Sequence, residues 1–217
     1  MKVRDDAILR PAQADYLGRL LPDRDPILAE MEHLAAPGGI PISDPEVGLL
    51  LEILVRSVRP GLVVEVGTAI GYGTLCLARG AADARVLSID PDAEGLDIAR
   101  GFLTRAGVQD RVELVEEPAL DVLARLEGPV DFVYLDAVKT EYRQYLDLLV
   151  PKMSIGGMVV ADNLLWQGWV ADPPPEAARD PNTEALRAFN RYLVGHPQLR
   201  ATVLPVGDGL GVATRVS

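Results

Sequence analysis

Cysteine is nearly missing from this chain of 217 residues, in which Cys76 is the single one. One cysteine cannot close an internal disulfide, and a reducing cytoplasm fits that usage best. Histidine is scarce as well. His33 falls on an otherwise charged helical stretch and His196 in a Gly-His-Pro turn, so a nucleophilic triad built on histidine is not expected. Basic residues are few, 21 Lys and Arg against 32 Asp and Glu, which leaves a formal net charge of -11. A field of that sign repels nucleic acid and anionic membranes, and neither is an expected partner. No apolar run approaches the roughly 18 residues that span a bilayer. Met1 to Asp6 has no apolar stretch behind its charges, so it does not read as a signal peptide. Internal repeats and long low-complexity segments are absent too.

What is present centres on Leu62-Val63-Val64-Glu65-Val66-Gly67-Thr68-Ala69-Ile70-Gly71-Tyr72-Gly73-Thr74. The valine-rich run reads as a strand buried on both faces. It breaks into closely spaced glycines, and Thr74 to Ala78 resumes with a helical look. Strand, glycine turn and helix form the first half of a nucleotide-binding βαβ unit. Glu65 is an acid inside that apolar strand, and a buried carboxylate is costly unless something binds it.

The length suits one α/β unit spanning 1–217, with a helical cap over 1–60 and an α/β core over 61–217. In the cap, Ile27, Met31 and Leu34 fall on one helical face, and Pro37-Gly38-Gly39 ends that helix. Ser43 and Glu46 have capping-box spacing, with Ser43 as N-cap. Val47, Leu50, Leu51, Leu54 and Val58 then follow with helical period. Further strands are expected at Arg85 to Ile89, Arg111 to Val115, Val130 to Leu135 and Gly157 to Ala161. A helix from Lys139 to Val150 should turn Tyr142, Tyr145 or Leu146, and Leu149 inward. The segment 168–181 carries Pro173, Pro174, Pro175 and Pro181, which excludes a regular helix or central strand and suggests a lid or an interface arm. Asn182 or Thr183 can cap a helix to about Leu193. Leu199 to Pro205 and Leu210 to Val216, joined through Gly207-Asp208-Gly209, read as a closing antiparallel hairpin.

Strands that alternate with helices build a mainly parallel sheet, with ligands at the carboxyl ends of its strands. Glu65 lies just before the Gly67 turn, and Asp90, Asp136 and Asp162 each terminate a strand. Asp90 stands 23 residues beyond Gly67, a spacing at which an acid reaches a ribose. Asp136, Asp162 and the amide of Asn163 are a hard-oxygen set suited to a divalent cation such as Mg²⁺, with Ca²⁺ or Mn²⁺ as relatives in chemistry. Lys139 follows Asp136 at a distance that brings its amine near the same ion. Partly desolvated beside a cation, a lysine has a lowered pKa and acts as a base.

Glu65 to Thr74, Asp90-Pro91, the run Asp131-Phe132-Val133-Tyr134-Leu135-Asp136-Ala137-Val138-Lys139-Thr140-Glu141-Tyr142, Asp162-Asn163-Leu164-Leu165-Trp166 and Gly207 to Leu210 together resemble the cation-dependent O-methyltransferases. These are class I S-adenosylmethionine enzymes, including the catechol and caffeoyl-coenzyme A O-methyltransferases. The resemblance runs from about Ile42 to the C-terminal hairpin. It implies a Rossmann-like fold with a seven-stranded sheet, helices on both faces and an N-terminal helical extension. It also implies S-adenosylmethionine as cofactor, a small aromatic diol as acceptor and a homodimer. By the same resemblance, Glu65 and the backbone of Gly67, Thr68, Gly71 and Tyr72 hold the methionine part. Asp90 takes the ribose hydroxyls and Ala119 lies beside the adenine, while Ile42, Thr74, Pro91 and Asp136 complete the cofactor site. Asp136, Asp162 and Asn163 bind the metal, Lys139 is the base, and Trp166 lines the acceptor pocket. This sequence departs from the pattern at Val138, where many members carry an acid, at Glu117, where glycine is usual, and at Ile40 and Ile42, where methionine is common. Two alternatives stand beside this reading: an NAD(P)-linked oxidoreductase using the glycine stretch, and a methyltransferase relative impaired by Val138 and Glu117.

Overall fold

The structure is a computed structural model, and it describes residues 10–217 apart from Arg24 and Ala178. The expectation for Met1 to Asp6 lies outside the described residues. Three helices come first: α1 (Pro11–Leu20), α2 (Pro26–Gly38) and α3 (Pro45–Val58). Strands and helices then alternate as β1 (Leu62–Val66), α4 (Tyr72–Gly80), β2 (Arg85–Ile89), α5 (Ala93–Arg105), β3 (Val112–Val115), α6 (Ala119–Arg125), β4 (Val130–Leu135), α7 (Tyr142–Leu149) and β5 (Met153–Ala161). Helix α8 (Pro181–Gly195) precedes the hairpin of β6 (Leu199–Leu204) and β7 (Leu210–Arg215).

The seven strands form one sheet in the order β3-β2-β1-β4-β5-β7-β6. The first five pair in parallel, and β7 pairs antiparallel with both β5 and β6. The chain order reverses between β1 and β4, the switch point beside which open α/β sheets bind ligands. Side-chain alternation along the central strands sorts the core into two layers. Val64, Val66, Val133 and Leu135 pack with α6, α7 and α8. Val63, Phe132 and Tyr134 pack on the other face with α2, α3 and α4. No described helix is long and apolar enough to cross a membrane.

Several local expectations are corrected. Ser43 does not cap α3. Asp44 takes the N-cap position, and the Ser43 hydroxyl is instead buried against the Tyr134 hydroxyl at 2.8 Å. A side chain that reaches a buried phenol is unavailable to the helix end. On α2 the apolar stripe passes from Met31 to Ala35, four residues on, and Leu34 is 44% exposed. Helix α8 starts earlier than expected, because the Asp180 carboxylate accepts from the Thr183 amide and Pro181 fits the first turn. Strand β5 is longer than its apolar run, taking in Met153 to Gly156 through a register shift opposite Val130 and Phe132.

Asp131 ties three strands together at the edge opposite the site. Its Oδ2 accepts from the Gly61 and Leu62 amides at 2.8 and 3.1 Å, and its Oδ1 from the Ser154 hydroxyl at 2.6 Å. Burial alone would raise its pKa, but these donors hold it below the usual carboxylate value. Asp131→Ala is expected to destabilise the fold by about 1–3 kcal/mol, measured by urea unfolding. An unchanged midpoint would show that these hydrogen bonds carry no net stability.

Candidate active site

Four backbone hydrogen bonds set the site's frame. The ladder continues one residue beyond the strands: Gly67 donates to Ile89, Asp90 to Val115, Asp136 to Val66 and Asp162 to Leu135, at 2.8–3.1 Å. In sheet order, Asp90, Gly67, Asp136 and Asp162 therefore stand side by side along one edge. Only glycine fits at 67, where φ is +99° and an added Cβ would lie 2.1 Å from the Asp136 carbonyl oxygen. A cavity of about 530 Å³ opens along this edge.

Glu65 forms its floor and is fully buried. Its Oε2 accepts from the hydroxyls of Ser88, at 2.6 Å, and Thr74. Among the described residues its Oε1 has no hydrogen-bond partner, and Glu65 lines the cavity. Helix α4 comes this close because residue 73 is glycine, where a Cβ would stand 2.5 Å from Oε1. Burial pushes the Glu65 carboxyl up to about 8, outweighing the pull of the Ser88 and Thr74 hydroxyls, with the charges of Asp136 and Asp90 adding to the rise. Beside it, the Asp90 Oδ2 accepts from the amides of Thr68 and Ala69 at 2.9 and 3.0 Å. These bonds shape the glycine turn and hold Asp90 at the cavity wall with Pro91.

On the other side of Gly67, two acids converge on one phenol. The Tyr134 hydroxyl lies 3.1 Å from Asp162 Oδ2 and 3.5 Å from Asp136 Oδ2. Asp162 is buried, and its Oδ1 accepts from the Asn163 amide at 2.6 Å. Asn163 itself adopts the left-handed conformation, φ 61°, which asparagine tolerates better than most residues. Lys139 Nζ donates to Asp136 Oδ1 at 2.8 Å and to the Tyr142 hydroxyl at 2.7 Å. Tyr142 in turn reaches the carbonyls of Leu135 and Asp162. The pKa lowering expected for Lys139 depends on a cation beside it, and the protein's own groups act the other way. Burial lowers it, but Tyr142 and the Asp136 carboxylate outweigh burial and hold it above its ordinary value.

The cavity collects most of the residues singled out from sequence. On the cofactor side these are Ile42, Glu65, Gly67, Thr68, Tyr72, Asp90, Pro91 and Ala119. The cavity also takes in Asp136, Lys139, Asn163 and Trp166. Gly71, Thr74 and Asp162 are not among its lining residues. Gly71 is the left-handed N-cap of α4, and the Thr74 hydroxyl donates to Glu65. Trp166 is fixed by its indole N–H, which donates to Asp180 at 2.8 Å. The segment 168–181 is pinned to α8 by Arg187, which donates to the Trp169 and Val170 carbonyls. None of its described residues lines the cavity, although Asp180 anchors Trp166, which does. Glu117 is held away by Arg125 at 2.5 Å. Tyr134, Tyr142, Ser43 and Ser88 were missed as site residues. For two of them the signal was present: Tyr134 precedes Asp136 by two on a strand, hence on the same face, and Tyr142 follows Lys139 by three.

A family model described as O-methyltransferase matches residues 26–216. The chain belongs to the O-methyltransferase family. A caffeoyl-CoA O-methyltransferase of Stellaria longipes is 30% identical over 99% of this chain and 95% of that protein. An O-methyltransferase from Bacillus cereus, solved with S-adenosylhomocysteine (SAH), is 30% identical with a TM-score of 0.82, covering 94% of this chain and 97% of that one. TomG from Streptomyces achromogenes, solved with S-adenosylmethionine (SAM), is 27% identical with a TM-score of 0.83 over the full length of both chains. Membership in this family supports SAM as the methyltransferase's cofactor and leaves the oxidoreductase alternative without support. The unpartnered Glu65 Oε1 suits a cofactor that brings an ammonium group to the cavity floor.

The Glu65 shift has a defined sign. Folded, Glu65 keeps its proton to about pH 8, whereas the unperturbed value is 4.5. The folded state binds the extra proton between these limits, so stability falls as pH rises through that window. Glu65→Gln is expected to flatten the decline in urea midpoint between pH 5 and pH 8. Parallel curves for the two proteins would refute a protonated Glu65.

Proposed function

We propose that the protein is a SAM-dependent, divalent-cation-dependent O-methyltransferase acting on one hydroxyl of a small aromatic vicinal diol. The observation that supports this most is the set Asp136, Lys139 and Asn163 on the cavity whose floor is Glu65, with Asp162 buried against the Tyr134 hydroxyl that also reaches Asp136. The donor set fits a hard cation: two carboxylates and the Asn163 amide, all oxygen, in a site that already concentrates negative charge. Among the described residues no three His, Cys, Asp or Glu side chains group together as a metal site. Asp136, Asp162 and Asn163 would supply three oxygens, and a hard cation of roughly six positions would keep others for the hydroxyls of an acceptor.

When bound, SAM supplies the sulfonium methyl, and the cation favours the phenolate form of the acceptor and opposes the pull of Asp136 on the Lys139 proton. The chain's own part is placement and proton handling. Glu65 and the Asp90-braced turn hold the cofactor on one side of Gly67. Trp166 walls the acceptor side. In its neutral form Lys139, oriented by Asp136 and Tyr142, would take the hydroxyl proton. Much of the acceleration comes from holding the two reactants in line. Val138 is 52% exposed, so the missing acid there alters the pocket rim and leaves the Asp136–Lys139–Tyr142 network intact. That network favours a working enzyme over an impaired relative.

Incubation with SAM and a panel of vicinal diols should yield monomethylated products by mass spectrometry, lost with chelator and restored by Mg²⁺. Asp162→Ala should abolish this turnover while SAH binding by calorimetry stays near wild type. Equal loss of both would refute the division of the site. Lys139→Met should lower kcat by about 10²–10⁴-fold, the range for removing a general base, and an unchanged kcat would exclude it as the base.

A further inference from the structure

We propose that Tyr134 is a positioning residue whose hydroxyl, held by Ser43, fixes the Asp162 carboxylate for cation binding. The inference rests on the cation-dependent reading above. Strand alternation places Tyr134 on the same sheet face as Asp136, two residues on. Its ring is 1% exposed and sits against Gly73, where an added Cβ would come within 3.2 Å of Cε1. The ring therefore has little freedom, and its hydroxyl has one location. There it meets oxygens from three separate segments: Ser43 Oγ at 2.8 Å, Asp162 Oδ2 at 3.1 Å and Asp136 Oδ2 at 3.5 Å.

Proton counting gives these contacts a direction. The phenol has one proton, and a carboxylate only accepts. Tyr134 donates to Asp162, the nearer acid, and Ser43 donates to the Tyr134 oxygen. The chain of hydrogen bonds runs from the loop before α3, through β4, to the end of β5. The Asn163 amide holds the other Asp162 oxygen, so the carboxylate is gripped from both sides and its plane is set. A phenylalanine at 134 would fill the same space without this donor. Outer partners of this kind typically alter metal affinity about 10–100-fold when removed. If Tyr134 merely fills the core, Ser43 alone satisfies its hydroxyl and the acids are indifferent to it.

The test is Mn²⁺ binding to the full chain with SAH present, followed by electron paramagnetic resonance of the free ion. Tyr134→Phe should weaken Mn²⁺ about 10–100-fold while SAH affinity by calorimetry stays within about twofold of wild type. Ser43→Ala should weaken Mn²⁺ in the same direction by a smaller factor, and it decides the matter if Tyr134→Phe does not fold. Wild-type Mn²⁺ affinity in the folded variants overturns the proposal, as does an equal loss of SAH and Mn²⁺ affinity. Failure of the wild-type protein to bind Mn²⁺ overturns the cation reading itself, and this inference with it.

Discussion

The site depends on one constraint: like charges are gathered where water is scarce. The parallel ladder ends β2, β1, β4 and β5 at a common line, so acids placed just past those strands stand shoulder to shoulder. Glu65, Asp90, Asp136 and Asp162 would repel one another in a medium less polar than water. The structure meets that cost differently at each. Glu65 is kept protonated by burial. Asp90 is wrapped in backbone amides. Asp136 is paired with Lys139. Asp162 is gripped by Tyr134 and the Asn163 amide. A positively charged cofactor seated in the cavity would relieve the same strain.

Gly67 divides this edge in two. Its missing side chain lets the β1 turn lie against the end of β4, so the Glu65–Asp90 half and the Asp136–Asp162 half meet across a single backbone. On one side the polar chain Thr68, Ser88, Thr74 and Glu65 builds a hydrogen-bonded floor. On the other, Lys139, Tyr142 and the two acids form a network anchored to strand-end carbonyls. Reacting groups held on two such walls need little further ordering, and that is where positional catalysis gains most.

Much of this was legible in the sequence. The strand-glycine-helix stretch, the acids that close strands and the terminal hairpin all follow from periodicity and turn chemistry, which are local. Strand β4 was bounded correctly because its apolar run stops at a charge. What the sequence hid was long-range. Ser43 looked like a helix cap because its spacing to Glu46 is right, and only the tertiary fold shows a phenol from residue 134 claiming it. Leu34 looked inward because three-residue and four-residue spacings are both helical, and packing selects Ala35. The direction of the Lys139 shift needed its neighbours: the three-residue spacing to Tyr142 is in the sequence, but how that phenol and Asp136 together act on the amine shows only once the chain has turned at 139–141.

The most direct single measurement is an anomalous difference map from a crystal grown with Mn²⁺ and SAH. The account predicts one manganese peak bounded by Asp136, Asp162 and Asn163, with SAH lying along Glu65 and Asp90 on the other side of Gly67. A manganese peak elsewhere, or SAH seated away from Glu65 and Asp90, would contradict it.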